Sequence, residues 1–395
     1  MSLNDIPTRP LRLARRPPVI GVDARAANSE RRAGIGTYCC ELLRAIGPLC
    51  REGTLRVYLD HAPLAGFPLD ADYADFRILP STWAWTQRAL RSELRRDPPD
   101  VFLAPTMQVP FGVPCPIAVT VHDLAFFDFG QYFTWRTRLR SVVQARHAVR
   151  RADHIFAVSE SARDELARKL GIPHERVTVT PHGVSAAFTS IQDETASFEL
   201  RSTYRLPEKY ILYVGRLQPR KNIERLIGAF ETLLMSHPDL PHDLVVAGDK
   251  GWLCDQIFQK AQSSACSDRI HLLGFVSADH LPSLMRGADV FALVSLWEGF
   301  GIPVIEAMAC GTAVVASNCS SLPEVAGDAA VLVDPYSVES IAAGLAAVLT
   351  QDQFRADLEA RGRERAHKFS WQTTAERTLE VLLRLAEGST TKSRR

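Results

Sequence analysis

Short β-branched runs and longer helical patterns alternate twice along this chain, and no other property restricts its fold as much. Strands are predicted at Pro18–Val22, Leu55–Leu59, Val101–Leu103, Ile117–Val121, His154–Val158 and Val177–Thr180. A second set follows at Tyr210–Val214, Asp243–Ala247, Ile270–Leu272, Val290–Val294 and Thr312–Ala316. Segments between them, such as Gly36–Ile46, Asn222–Ser236 and Leu281–Arg286, space their apolar residues for helices. Such alternation gives parallel sheets covered by helices on both faces. At 395 residues the chain exceeds one ordinary core. The reading is therefore α/β with two Rossmann-like, doubly wound domains, residues 1–190 and 191–368, facing a cleft. The polar, aperiodic stretch 184–208 is their join. An amphipathic helix is expected over 369–387, opened by Ser370, and a disordered tail over 388–395.

A hydrophobic fraction of 46% and a charged fraction of 23% describe a soluble globular chain. The net charge of +1 gives no pointer to nucleic acid. It is unevenly spread, with 25 Lys+Arg against 19 Asp+Glu in residues 1–190 and 21 against 26 beyond. The halves are thus expected to meet different surfaces. The 8 cysteines show no C-x-x-C pair, which favours a reducing cytoplasm over a disulfide framework. Neither a signal peptide nor a run long enough to span a membrane is expected.

Ligands of open α/β sheets bind beyond the carboxyl ends of the strands, and the stretch EGFGIPVIEAMACGTAVVAS begins at such an end. Glu298 closes strand VFALVSL. Gly299 and Gly301 lack side chains, so backbone N–H groups can approach a ligand closely. Pro303 suits a first helical turn, and Glu306 lies one turn inside. Free amides at a positive helix end suit an anion. Ionised carboxylates, which only accept, suit hydroxyl groups. Phosphates flanked by hydroxyl-rich rings describe a nucleotide sugar, its sugar toward Glu298 and its ribose toward Glu306. Read blandly, the two acids are a loop charge and a first-turn charge, which leaves their pairing unexplained. Upstream, strand YILYVG ends at Gly215, with Arg216 and Lys221 close behind and Asn222 as the N-cap of the next helix. Two cations at a helix start form an anion pocket, unless both are solvated surface charges.

The segments VGRLQPRKNIERL, AGDKGW, HLLGFVS, LPSLMRGADVFALVSLWEGFGIPVIEAMACGTAVVAS and LPEVAGDAAVLVDP closely resemble the C-terminal domain of family 4 retaining glycosyltransferases. The likeness covers nearly all of residues 210–350. It implies the GT-B fold, with Glu298 and Glu306 as the E-x7-E pair. It implies that Arg216 and Lys221 bind the donor diphosphate and that the backbone from Gly299 through Phe300 and Gly301 to Ile302 binds phosphate and sugar. The turn Gly274-Phe275-Val276 would contact the base. The family commonly places a histidine beside the donor sugar, matched by His122, and a glycine-rich loop over the phosphates, matched by Gly34 and Gly36. Its last helix often crosses back to the N-terminal domain, a place that suits Trp371. Retention of configuration is also implied, with the donor phosphate accepting the acceptor's proton.

The combination GDKGW, LPSL, EGFGIP and SNCSSLPEV most resembles mannosyltransferases of bacterial polysaccharide assembly. GDP-mannose is the expected donor, with UDP-sugars next, and the acceptor a saccharide or lipid-linked saccharide. The whole sequence reads as lacking a metal-holding D-x-D motif, so metal-independent transfer without a cofactor is expected.

The first half, residues 1–190, is expected to bind the acceptor and the second, 191–368, the nucleotide sugar, but the first is less explicit. Gly34 and Gly36 suggest a dinucleotide turn, but about ten residues separate them from the strand and Cys39 holds the third glycine position. Asp60 is the one feature that reading keeps. His122 and Asp123 end strand IAVTV; Ser159 suits an N-cap; His182 and Gly183 read as hinge structure. The arginine-rich stretches TWRTRLRSVVQARHAVRRAD and WTQRALRSELRR read either as solvated helix faces or as a surface for an anionic membrane or diphospho-lipid acceptor. Two rivals stand beside a transferase. A sugar phosphorylase would need a lysine-bound pyridoxal phosphate, which no segment suggests. A binding module without catalysis sits poorly with Glu298, Glu306, Arg216, Lys221 and His122 all in place.

Overall fold

A computed structural model of the chain describes residues 17–30, 32, 34–50, 54–190 and 200–392. Its strands are β1 Ile20–Asp23, β2 Leu55–Leu59, β3 Asp75–Ile78, β4 Val101–Ala104, β5 Ile117–Val121, β6 His154–Ala157 and β7 Val177–Val179. The second half adds β8 Tyr210–Val214, β9 Asp243–Ala247, β10 Ile270–Gly274, β11 Val290–Leu293, β12 Ala313–Ser317 and β13 Val331–Val333. They form one seven-stranded sheet, ordered β3-β2-β1-β4-β5-β6-β7, and one six-stranded sheet, ordered β10-β9-β8-β11-β12-β13. Every neighbouring pair runs parallel. Central strands such as VFLA, IAVTV and AVVAS are buried at every position, as parallel sheets covered on both faces require.

Two strands were not expected from the sequence. β3 and β13 are both edge strands, and DFRI and VLV are too polar or too short to register as strand patterns. In each sheet the strand order reverses beside the first strand of its half. The switch points are β1/β4 and β8/β11.

The last helix, Trp371–Lys392, crosses back to the first sheet. Trp371, Ala375, Leu382 and Ala386 join Ile20, Val22, Tyr38 and Leu42 in one core. Ser370 receives Thr373 N at 3.4 Å, the cap that the sequence indicates. The helix runs to Lys392, so the tail expected to be disordered from Gly388 begins as helix, and residues 393–395 lie outside the described residues. Within the expected join, Ala186–Thr189 form a short helix and residues 191–199 lie outside the described residues. All eight cysteines are free.

Gly183 sits where the chain meets this helix, and a Cβ added there would lie 2.1 Å from the backbone N of Trp371. Neither backbone can yield easily. Gly183→Ala is expected to cost about 1–3 kcal/mol, seen as a lower urea midpoint; an unchanged midpoint would contradict this packing.

Candidate functional site

The switch point of the second sheet gathers the charged groups. After β8 the chain makes a tight 3₁₀ turn, Pro219–Lys221, and Asn222 follows at φ +62°. Asn222 stands at the N-cap position, but its side chain makes no cap bond. Its amide instead donates to Val294 O at 2.8 Å and Pro335 O at 2.7 Å, tying the turn to the end of β11. Lys221 Nζ thereby reaches Glu298 Oε1 at 2.6 Å, the same oxygen that accepts from Ser295 Oγ at 2.7 Å. Arg220 donates to Trp297 O and lies 3.7 Å from the other carboxylate oxygen. Glu298 is only 8% exposed. Burial alone would raise its pKa, but Lys221, Arg220 and the Ser295 hydroxyl outweigh burial and hold it below the usual carboxylate range. Burial draws the Lys221 ammonium below the ordinary lysine range, against the opposing pull of Glu298.

The sequence reading paired Lys221 with Arg216. In the structure Arg216 is exposed at the end of β8 and, among the described residues, makes no ion pair. Arg220 stands beside Glu298 instead. The letters PRK showed it, but nothing local indicated that the 3₁₀ turn would direct two adjacent cations to one acid.

The loop after Glu298 is pressed against the first lobe. A Cβ on Gly299 would lie 1.8 Å from His122 O, and Ser159 Oγ donates to Gly299 O at 2.7 Å while receiving Ala162 N at 3.0 Å as the expected N-cap. Phe300 is buried and stacks on His182, with ring centroids 4.9 Å apart at 15°. His182 and Gly183 are thus interlobe packing, not only hinge. Gly301, at φ +103°, opens the helix Ile302–Ala309, whose first N–H bonded inward is Val304 N to Gly301 O at 2.9 Å. Ser321 Oγ secures the loop by donating to Glu298 O and Phe300 O at 3.0 and 2.9 Å.

His122 stands across the loop. Its Nε2 lies 2.8 Å from Pro105 O, which fixes that nitrogen as the donor and leaves Nδ1 as an acceptor. Burial lowers its pKa, so the ring is neutral. Glu306 departs from the ionised acceptor expected from sequence. Burial, then the charge of Glu41, pushes its carboxyl up to about 8, so at neutral pH it carries a proton and can donate.

Gly34, at φ +51°, begins the helix Ile35–Ile46, and Gly36 lies within that helix rather than in a free loop. Arg32 binds Ala27 O and Gly66 O, both at 2.9 Å, while Arg31 lies outside the described residues. Gly215 ends β8 against Ala247 O at 2.9 Å. Gly274 turns at φ +71°, with Phe275 exposed and Val276 buried behind it. Contrary to the expectation that no D-x-D motif is present, the chain carries one such string, Asp70-Ala71-Asp72, on an exposed turn closed by Asp72 N to Asp70 Oδ1 at 3.1 Å. Among the described residues no three His, Cys, Asp or Glu side chains form a metal-holding group.

The Glu306 carboxyl is ionised in the unfolded chain above its ordinary 4.5 but protonated in the folded protein up to about 8. Stability therefore falls as pH rises between those values. Glu306→Gln should melt a few degrees above the parent at pH 8 and close to it at pH 5; an equal difference at both pH values would refute the shift.

Residues 34–188 match the family described as Glycosyltransferase Family 4, and residues 198–365 match Glycosyl transferases group 1. O-antigen chain mannosyltransferase B of Escherichia coli is 33% identical over 264 residues, covering 66% of this chain and 68% of that protein. The serotype-specific mannosyltransferase WbdA of Escherichia coli is 35% identical over 242 residues, which are 60% of this chain but 30% of WbdA. Sucrose-phosphate synthase from Thermosynechococcus elongatus superposes with a TM-score of 0.75 at 19% identity, over 94% of this chain and 100% of that one. This chain belongs to family 4 of the glycosyltransferases and has their GT-B fold.

Proposed function

We propose that this glycosyltransferase moves mannose from GDP-mannose, with retention and without a metal ion, to a saccharide or lipid-linked saccharide in bacterial polysaccharide assembly of the lipopolysaccharide type. The observation that carries the reading is the Lys221–Glu298 pair with Arg220 beside it, at the carboxyl end of β8 and β11. Likeness to the O-antigen chain mannosyltransferase supports mannose as the sugar.

As the bond between the anomeric carbon and the phosphate oxygen breaks, negative charge grows on the diphosphate. Arg220, Lys221, exposed Arg216 and the amides before helix Ile302–Ala309 are fixed donors for that charge, and pre-aimed donors lower such barriers. The acceptor oxygen bonds to the anomeric carbon, and its proton passes to the departing phosphate oxygen. His122 Nδ1 accepts a sugar hydroxyl. Glu298 holds Lys221 and accepts another, while protonated Glu306 donates to a ribose oxygen. Phe275 and Val276 border the base. The interlobe contacts exclude water, which would compete as acceptor.

In EDTA the protein should bind GDP and slowly hydrolyse GDP-mannose, with UDP-glucose turned over less. Lys221→Ala should lower kcat by about 100-fold or more; near-parent turnover would rule out the diphosphate role.

No described helix is long and apolar enough to cross a membrane. The helix Trp135–Arg151 nevertheless presents Trp135, 70% exposed, with Leu139 and Val143 at successive i+4 positions among exposed Arg136, Arg140 and Arg146. In this reading that face meets an anionic membrane at its cytoplasmic side. The protein should float with phosphatidylglycerol vesicles and not with phosphatidylcholine ones. Replacing Arg136, Arg140 and Arg146 by Glu should abolish flotation; retained flotation would exclude this face.

A further inference from the structure

The helix Glu160–Leu170 of the first lobe does not complete its own N-terminus. Of its first three amides, Ala162 N is satisfied from within, by Ser159 Oγ at 3.0 Å. The other two, Glu160 N and Ser161 N, donate to Glu324 Oε1 and Oε2 of the second lobe, each at 2.9 Å. A helix start leaves such donors without an internal partner, and here the partner comes from 164 and 163 positions away. Both oxygens of Glu324 are committed to this helix end, so the residue takes no part in holding the donor. Ser159 also donates its hydroxyl to Gly299 O, so the same helix end grips the loop after Glu298.

The segment that carries Glu324 is fixed to the hinge. Arg365 donates to Glu324 O and, at 3.0 Å, to Val325 O, and its guanidinium lies 5.3 Å over the Phe369 ring. Phe369 meets Phe300 edge-on, with ring centroids 5.6 Å apart, and its carbonyl accepts Val184 N at 3.1 Å where the chain crosses between the lobes. A carboxylate gains from free amides and a positive helix end only in direct contact. The two bonds therefore exist only while the lobes are closed, and they fix where the first lobe stops.

We propose that Glu324 is the positioning residue that sets the closed register of the two lobes for transfer: its carboxylate completes the helix Glu160–Leu170 across the cleft and so keeps the loop after Glu298 against His122. This rests on the glycosyl-transfer reading and adds to it a residue that acts through lobe alignment, without touching either substrate.

Two variants remove the contact from opposite sides. Glu324→Ala deletes the acceptor. Glu160→Pro deletes one donor at the first helical position, where proline is well accommodated after the extended Ser159 (φ −156°, ψ 161°). The Glu160 side chain it removes is exposed and paired with Arg163 of its own helix. In hydrogen exchange of the full chain without substrate, both variants should speed exchange in the peptide carrying residues 159–162. They should also speed it in residues 129–134, where Tyr132 O receives Trp252 Nε1 from the other lobe. The radius of gyration by small-angle scattering should rise in both. A cap of local importance would release residues 159–162 alone, and that result would overturn the proposal. With GDP-mannose and octyl α-D-mannopyranoside, kcat should fall about tenfold or more in each variant, because two charge-assisted bonds no longer favour the closed state. GDP is held by the second lobe, so its Kd by calorimetry should stay within about twofold of the parent. The double variant should be no slower than Glu324→Ala, since both changes break one contact. Unchanged kcat in both single variants, or fully additive losses, would also overturn it. If the parent turns over no GDP-mannose, that counts against the donor reading alone, and exchange and scattering decide the role of Glu324.

Discussion

A buried ion pair under the donor loop constrains the rest of the cleft. Removing an ammonium and a carboxylate from water costs several kcal/mol per ion, and only close geometry with further hydrogen bonds offsets it. Lys221 and Glu298 meet that condition at 2.6 Å, with Ser295 on the same oxygen and Arg220 beside the other. Each partner comes from a different strand end. The pair therefore holds the turn after β8 against the loop after β11, with Asn222 reinforcing the same seam through Val294 and Pro335. An apolar pair of similar volume would often be at least as stable. Ionic groups kept at a switch point, next to unencumbered amides, make sense as a binding surface rather than as a stabilising device.

The second constraint is how closely the lobes approach. Only a residue without Cβ allows the backbone at Gly299 to lie against His122 O. Around that contact are three further ties: Ser159 to Gly299 O, Trp252 Nε1 to Tyr132 O at 2.6 Å, and Glu324 to the amides of Glu160 and Ser161, both at 2.9 Å. The Glu324 carboxylate caps a helix of the opposite lobe, where an anion is favoured by the free amides and the dipole. Ser159 and the Ser321 anchor both touch the loop after Glu298, and Glu324 follows Ser321 by three residues. Closure and loop position are thus one mechanical unit. The stacked pair His182 and Phe300 explains the same coupling from the hinge side, since the aromatic side chain of the donor loop is interlobe core.

Much of this was legible in the sequence because it depends on local pattern. The central strands announce themselves as continuous apolar runs, and Glu298, Gly299, Gly301 and Pro303 carry conformational demands that few other residues could meet. What escaped depends on contacts between distant segments. Arg220 is one letter from Lys221, but only the turn geometry aims both at Glu298. Asn222 reads as a helix cap, yet its amide finds stronger partners in Val294 and Pro335. Glu306 reads as an ionised acid, because neither its burial nor the nearby charge of Glu41, over 260 positions away, is visible locally. A cavity in the first lobe draws its wall from residues 25, 60, 85, 108 and 147, which share no motif.

The protonation states form a consistent pattern across the cleft. A diphosphate leaving group brings negative charge, so every uncompensated carboxylate nearby would oppose it. Glu298 is ionised, but Lys221 and Arg220 surround it, leaving one positive charge in excess before exposed Arg216 is counted. Glu306, which has no cation partner among the described residues, is kept neutral by burial. His122 is also neutral, its one N–H committed to Pro105, so it offers a lone pair without adding charge to the cleft. In the proposed reaction, charge is thereby confined to the side from which the leaving group would depart, and neutral donors and acceptors line the side that would recognise hydroxyl groups. That division follows from burial and from which groups the two strand ends bring together, and it is the electrostatic form that the proposed transfer from an anionic carrier to a neutral acceptor would require.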